Sequence, residues 1–329
     1  MSTIVIAAFN HVLPSALMGI TDLFALSGLN FVRESTNTSD KTQWSPRVLI
    51  ASANGLPVTD SQGRQFAVDT DFASITRCDA VIVPGFTPNQ CGHPPNNLTS
   101  PEAKSWLLAQ YRQGALLGGS CSGVFALGEA GLLNNRSCTT TWWLHDELRK
   151  RFTKANPVWA SDLITEKRIV TAGGPLSWVN VTLHIVKQLA GSEVAKLMSD
   201  FAVVDATPKS QELHIPSGFK LSTDPFLAQA EYAIRQAHYH NISSQDLADR
   251  MSVSHRTLHR KLKGLTGETP KGFIDRTRIS HACTLLNTTD KPIKDIALQV
   301  GYSDDTVFRR LFRKIMKVTP SEYRRRIAL

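Results

Sequence analysis

No stretch of this 329-residue chain approaches the apolar length of a membrane span. The N-terminus has no positive charge ahead of its short apolar run, so it lacks the pattern of a secretory signal. Cysteine is scarce. Cys78, Cys91, Cys121, Cys138 and Cys283 are odd in number, and no two stand as C-x-x-C. Neither a disulfide framework nor a zinc site is indicated, and nothing implies a cofactor or metal. The reduced cytoplasm is the expected compartment.

Charge is present but uneven. Residues 1–210 hold 17 Lys+Arg and 16 Asp+Glu, a net of +1, whereas residues 211–329 hold 20 and 12, a net of +8. Nearly all of the +9 excess therefore lies in the last third, where a nucleic-acid-binding module would carry it.

That last third contains one pattern twice. The first copy runs Ser244–Pro270 as SQDLADRMSVSHRTLHRKLKGLTGETP, and the second runs Ile293–Pro320 as IKDIALQVGYSDDTVFRRLFRKIMKVTP. Asp246-Leu247-Ala248 recurs 49 residues later as Asp295-Ile296-Ala297. Beyond the turn the offset is 50: Leu258 becomes Phe308, Arg260 becomes Arg310, Leu262 becomes Phe312, and Thr269-Pro270 becomes Thr319-Pro320. One extra residue in the second turn, where Gly301 lies, accounts for the change. A repeat that holds register through an insertion marks a duplicated supersecondary unit.

Each copy places a helix after a short turn. In the first, Ser254 can cap, and Leu258, Leu262 and Leu265 fall on one face. Arg256, His259, Arg260 and Lys263 fall on another. In the second, Phe308, Phe312 and Ile315 are apolar, while Thr306, Arg309, Arg310 and Arg313 form the matching polar stripe. One such stripe is commonly a solvated helix face. Two in register, each behind its own helix and turn, suit a pair of recognition helices for the DNA major groove.

Residues 224–329 resemble the DNA-binding domain of the AraC/XylS family. The likeness rests on Ile242, Leu247-Ala248, Arg278-Ile279, Ala282, Leu285-Leu286, Ile296-Ala297, Val300-Gly301-Tyr302, Phe308, Arg310, Phe312 and Thr319–Arg324. It implies two helix-turn-helix units joined by one helix and set in successive major grooves of promoter DNA, with RNA polymerase as a further partner. Base-contacting positions carry over to Arg256, His259 and Arg260, and to Asp305, Thr306, Arg309 and Arg310. Asp304 and Asp305 depart from the more usual Ser or Gln. An acid there can accept from cytosine but repels phosphate.

The first two thirds alternate strands and helices. Thr3–Phe9, Val48–Ala53, Cys78–Pro84 and Ala115–Gly118 read as buried strands. Helices are expected from Pro14 to about Gly28, from Ser100-Pro101-Glu102 to Gly114, near His145–Phe152, and from about Leu176 to Ala190. Hairpins are expected within Leu56–Val68 and around Glu166-Lys167, a further strand at Ser137–Thr141, and a loop at Pro88–Pro95. This predicts an α/β domain with a mostly parallel sheet. Asp205–Thr223 is polar and aperiodic and reads as a linker.

Gly119-Ser120-Cys121-Ser122-Gly123 sits between a strand and a helix. Glycines two before and two after a nucleophile-type residue suit a strained elbow, and a helix N-terminus lowers a thiol pKa. A buried cysteine in a tightly packed turn fits the same residues. The run Gly114–Leu133 with the following RSCTTTWW, the Gly19-x-x-Asp22 segment and Val83-Pro84-Gly85 resemble the sensor domain of GlxA-type regulators. These join a PfpI-like, class I amidotransferase-like domain to an AraC-type module, and the likeness covers essentially the whole chain.

The resemblance implies a cleft holding Asp22, Gly85, Phe86, Cys121, Ser122, Thr141 and Trp142. A carboxylate and an indole together suit a small cationic or amine-bearing effector. Trp142 alternatively packs a strand end, as Trp143 is expected to do. A thiol hydrolase needs a base within hydrogen-bond reach, and Thr141 stands where family members often show His. His145 reads as a surface or packing residue and His184 as a core or edge one, and nothing places His93 near Cys121. No catalytic set is expected.

The expected architecture is α/β, a mostly parallel three-layer sandwich of flavodoxin-like, amidotransferase-like type, followed by an all-α domain with two helix-turn-helix units. Its boundaries are 1–207 for the sensor, 208–223 for the linker and 224–329 for the DNA-binding domain. The expected function is sequence-specific transcription regulation by a homodimer answering to a small metabolite. The alternative is a Cys-dependent hydrolase or amidase fused to a DNA-binding module.

Overall fold

The computed structural model describes residues 2–27, 44–60, 62–87, 94–205, 211, 215, 224–237 and 242–327, with side chains to 325. The end of the first helix at Gly28, the Pro-rich loop at 88–93 with Cys91 and His93, and the linker at 208–223 apart from Gln211 and Ile215 lie outside the described residues. Two compact units divide the chain, Met1–Pro208 and Lys209–Leu329.

The first unit is built on β1 (Thr3–Ala7), β2 (Arg47–Ser52), β5 (Thr70–Asp71), β6 (Ala80–Val83), β7 (Leu116–Ser120), β10 (Leu163–Glu166) and β11 (Ile169–Ala172). Their order in the sheet is β10-β11-β7-β6-β1-β2-β5. Every pairing is parallel except the β10–β11 hairpin. Strand residues alternate between two cores, as a pleated sheet covered on both faces requires. Val5, Ala7, Val81, Val83 and Leu117 point to one core. Ile4, Ile6, Ala80 and Ile82 point to the other.

Helices α1 (Pro14–Leu26), α5 (Trp178–Ala190) and α6 (Ser192–Phe201) cover the second face through Leu17, Ile20, Val181, Ile185 and Met198. Helices α2 (Pro101–Arg112), α3 (Val124–Glu129) and α4 (His145–Arg151) cover the first through Leu107, Phe125 and Leu148. Three layers result, helix on sheet on helix. The start of α2 follows the sequence signal: Ser100 Oγ accepts from Ala103 N–H, with Pro101 behind it. The hairpin within 56–68 is β3 (Val58–Thr59) paired antiparallel with β4 (Gln65–Phe66).

Two elements differ from expectation. The strand at 137–141 stops at Cys138, pairing as β8 (Ser137–Cys138) with β9 (Asn156–Pro157). Thr139 N–H then donates to the Thr171 hydroxyl at 2.9 Å instead of to a strand carbonyl, which turns the chain toward the elbow. Helix α6 was not anticipated. Its short apolar set, Val194, Ala195 and Met198, gives little periodicity to read from sequence.

The second unit is all-helical: α7 (Pro225–Gln236), α8 (Ser244–Arg250), α9 (His255–Thr266), α10 (Pro270–Thr288), α11 (Ile293–Gln299), α12 (Asp305–Met316) and α13 (Pro320–Ile327). It has two cores. Leu227, Ile234, Leu247, Leu258 and Leu262 form one with Phe273 and Ile274 of α10. Ile296, Phe308, Phe312 and Tyr323 form the other with Ile279, Ala282 and Leu286 of the same helix.

Candidate functional site

The two helix-turn-helix units superpose in their hydrogen bonds. Ser252 N–H and Val253 N–H close α8 onto the Asp249 and Ala248 carbonyls. Gly301 N–H and Tyr302 N–H close α11 onto Leu298 and Ala297 in the same way. Ser252 at φ 53° occupies the left-handed position that Gly301 occupies at φ 89°. The offset is thus still 49 at the glycine. The next equivalent pair is the two N-caps, Ser254 and Asp304, at an offset of 50. The extra residue is therefore Ser303, and not Gly301, whose place in the turn the first copy fills with serine.

Both recognition helices are capped. Ser254 Oγ accepts from Thr257 N–H at 3.2 Å, and Asp304 Oδ1 accepts from Thr306 N–H at 2.7 Å. Leu258, Leu262, Phe308 and Phe312 are buried, as their spacing predicts, and Leu265 and Ile315 pack on the edges of the cores. Arg256, His259, Arg260 and Lys263 are exposed, as are Thr306, Arg309, Arg310 and Arg313. Arg256, His259 and Arg260 have no partner among the described residues, whereas Lys263 Nζ donates to the Gly267 carbonyl at 2.7 Å and helps close its own helix. In the second unit Arg309 Nε donates to Asp305 Oδ2 at 2.7 Å.

In the first unit, Cys121 follows β7 with φ 53°, the strained left-handed turn that its flanking glycines announce. A β-carbon at Gly123 would overlap the carbonyl oxygens of Val83 and Pro84, so the elbow lies directly on the end of β6. Thr140 Oγ1 donates to the Cys121 carbonyl at 2.7 Å and brings the Thr139–Trp142 segment beside it. The thiol is buried, and desolvation pushes its pKa up to about 11, against the weaker lowering effect of Ser122. The lowered pKa expected from the following helix does not occur, because burial outweighs the local dipole.

Several of the expected pocket groups are unavailable. The Phe86 N–H donates to Ser122 Oγ at 2.6 Å, and Ser122 Oγ donates back to the Phe86 carbonyl at 2.8 Å. Gly85 lies against Cys121 and Leu13, and Leu13 N–H donates to the Gly85 carbonyl at 2.9 Å. The residue of the α1 region beside the elbow is thus Leu13. Asp22 lies nine residues further along α1, roughly 14 Å at the helical rise, and is exposed. It is not part of the elbow site, and the carboxylate expected there is missing.

Ser120 Oγ, Thr141 Oγ1 and both ring nitrogens of His145 are buried without a hydrogen-bond partner among the described residues. Buried polar groups are normally paired, so these atoms carry unmet hydrogen-bonding capacity. His145 is not a surface residue: it is 3% exposed, with Trp159 edge-on at 5.1 Å and Asp146 Oδ1 3.7 Å from its Nδ1. Ser120 was missed because serine is common in tight turns. Trp142 is half-buried, and Trp143 packs on the core beside it with ring centroids 4.9 Å apart. His184 is half-buried on α5, its Nε2 3.4 Å from the Thr165 hydroxyl, and burial lowers its pKa.

Comparison with known proteins agrees with both halves. Residues 41–188 match the DJ-1/PfpI family, and residues 247–326 match a helix-turn-helix domain. The HTH-type transcriptional regulator CdhR of Pseudomonas aeruginosa is 27% identical over 279 residues, 84% of this chain and 80% of that protein. The HTH-type transcriptional regulator GlxA of Rhizobium meliloti is 29% identical over 221 residues, 65% of this chain and 67% of that protein. Among solved structures, Drosophila melanogaster DJ-1beta shares the fold with a TM-score of 0.50 at 19% identity, over 62% of this chain and all of that one. A THiJ/PfpI family protein from Pseudomonas syringae does so with a TM-score of 0.50 at 18% identity, over 66% of this chain and 78% of that one. Like these HTH-type transcriptional regulators, the chain joins a DJ-1/PfpI domain to an AraC-type helix-turn-helix domain.

Proposed function

We propose that this regulator binds promoter DNA through the exposed faces of α9 and α12 and adjusts that binding to a small metabolite held by a non-catalytic DJ-1/PfpI domain. The observation that carries the DNA half is the pair of capped helices, each with exposed cations over a buried apolar face. Arg256, His259 and Arg260, with Thr306, Arg309, Arg310 and Arg313, are the groups offered to DNA. The sensor corresponds to 1–207, the linker to 208–223 and the DNA-binding domain to 224–329. Two copies acting as a homodimer would gain affinity for adjacent half-sites through effective concentration. Contact with RNA polymerase would convert occupancy into transcription.

The absence of catalysis is supported by a thiol held protonated by burial and by Thr141 where a base would stand. The effector site we assign to the surroundings of Cys121. Its polar contacts are Ser120, Thr141 and His145, and its apolar face is Trp142. An amine-bearing effector would have only the indole to attract its charge, since Asp22 is remote.

The test uses the full chain. Thermal-shift screening against amino acids, amines and neutral polar metabolites should find a ligand that raises Tm, because a ligand of the folded state stabilises it. Trp142→Ala and Thr141→Val should remove that shift while basal DNA affinity stays within about threefold, ~0.7 kcal/mol. Thiol-dependent amidase or peptidase turnover that vanishes in Cys121→Ser would overturn the non-catalytic reading.

A further inference from the structure

Asp305 and Arg309 stand at i and i+4 on the first turns of α12, with the acid on the N-terminal side, the orientation in which such a pair is strongest. The pair occupies Nε of Arg309 and Oδ2 of Asp305 at 2.7 Å. Two further facts define what each partner has left. Asp305 Oδ1 is buried and has no hydrogen-bond partner among the described residues. It is covered, so the oxygen Asp305 presents outward is Oδ2, which already accepts from Arg309. The terminal Nη1 and Nη2 of Arg309 have no partner among the described residues, and the side chain is 45% exposed.

Among the described residues the first unit has no counterpart to this pair. Its helix begins His255-Arg256-Thr257 after a serine cap, and none of Arg256, His259 and Arg260 is held by an acid. An unheld arginine near DNA reaches phosphates readily, which adds affinity without sequence information. An arginine fixed at Nε presents its two terminal nitrogens as a rigid fork. That fork matches O6 and N7 of guanine, the bidentate major-groove contact.

We propose that Asp305 is a positioning residue that determines specificity: it holds Arg309 for one guanine in the major groove and withholds it from phosphate. Asp305 itself touches no base. With Oδ1 covered and Oδ2 turned to Arg309, its carboxylate serves the arginine in place of a cytosine. Asp304 takes no part, because its carboxylate caps α12 through Thr306 N–H, which holds it ionised below the usual range. The inference rests on the DNA-binding reading above.

The experiment is selection of full-length protein against a randomised duplex library, followed by titration of one selected and one scrambled duplex over a range of salt. Wild type should enrich a site with an invariant guanine in the half read by the second unit. Arg309→Lys, which keeps the charge but not the fork, should lose roughly tenfold or more of the preference at that one position. Asp305→Ala and Asp305→Asn should lose it too, with the other positions unchanged. Both Asp305 variants should bind scrambled DNA more tightly than wild type. Their plots of log K against log salt should be steeper by roughly 0.9, the value of one added phosphate contact. Preference for cytosine lost in the Asp305 variants would overturn the inference by making Asp305 the reader. An unchanged guanine preference would overturn it also. A wild-type chain that enriches no sequence would overturn the DNA-binding reading, and this inference with it.

Discussion

Cys121 combines a strained backbone with a buried side chain. Its backbone keeps the strained turn of a nucleophile, and its thiol is dry. Iodoacetamide at pH 7.5 should leave native Cys121 unmodified, as peptide mass mapping would show; rapid alkylation would mean the thiol is open. The same burial makes stability pH-dependent. The thiol pKa rises from its ordinary 9.0 to about 11 on folding. Below pH 9 both states keep the proton, and the stabilisation is fully present. Between pH 9 and 11 the unfolded chain loses its proton first, so stability falls with rising pH. Cys121→Ala should flatten that fall by up to ~1.4 kcal/mol per pH unit in equilibrium denaturation. Cys138, raised to about 12 by burial, leaves its own decline in place. Gly123→Ala should be far worse than its size suggests, because the added methyl meets backbone that cannot turn aside. A loss above ~3 kcal/mol, or insoluble protein, is expected. The elbow was legible from its glycines alone. Its dryness was not, since solvent access depends on Leu13 and Phe86, distant in sequence. Asp22 is excluded by helical rise only once Leu13 is known to lie at the elbow.

At the scale of elements, the recognition helices were readable because capping and apolar spacing are local. Ser254 and Asp304 announce where each helix begins, and Leu258 and Phe308 announce which face is inward. The turn was less readable. Glycine draws the eye to position 301, yet Ser252 adopts the same left-handed backbone, and the inserted Ser303 has no distinguishing chemistry. Helix ends carry a further asymmetry. The first recognition helix ends on Gly267 at φ 74°, whereas the second ends on Lys317 at φ 60°, a conformation costly for a side chain. Lys317→Gly should therefore stabilise the second unit by about 1 kcal/mol, read as a raised midpoint in urea, although glycine weakens most helix positions. Asp304→Ala should cost about 1 kcal/mol by loss of the cap. Arg260→Ala and Arg310→Ala touch no core residue and should leave stability unchanged, while each costs on the order of 1–3 kcal/mol against the selected duplex and far less against scrambled DNA. Equal losses on both duplexes would mean these arginines meet only phosphate.

At the scale of the whole molecule, each unit has its own cores among the described residues. Calorimetry of the full chain should show two transitions, and a ligand of the first unit should move one of them. In the second unit the two cores meet on a single helix. Helix α10 contributes Phe273 and Ile274 to one and Ile279 through Leu286 to the other. Its 19 residues form a rod roughly 28 Å long. Glycine and proline occur only in its first turn, so the stretch between the cores has no hinge. The rod acts as a gauge block between the two readers, and the operator must match it in both distance and phase. One base pair inserted between the half-sites moves the second by ~3.4 Å and turns it by about 35°. A flexible tether would absorb that shift and would recover fully when ten pairs restored the phase. A gauge block recovers neither way: the single pair breaks one reader's contacts, and the full turn puts the second half-site ~34 Å out of reach. A ladder of spacer lengths should thus give one permitted spacing and a flat floor on either side, with no return at the helical repeat.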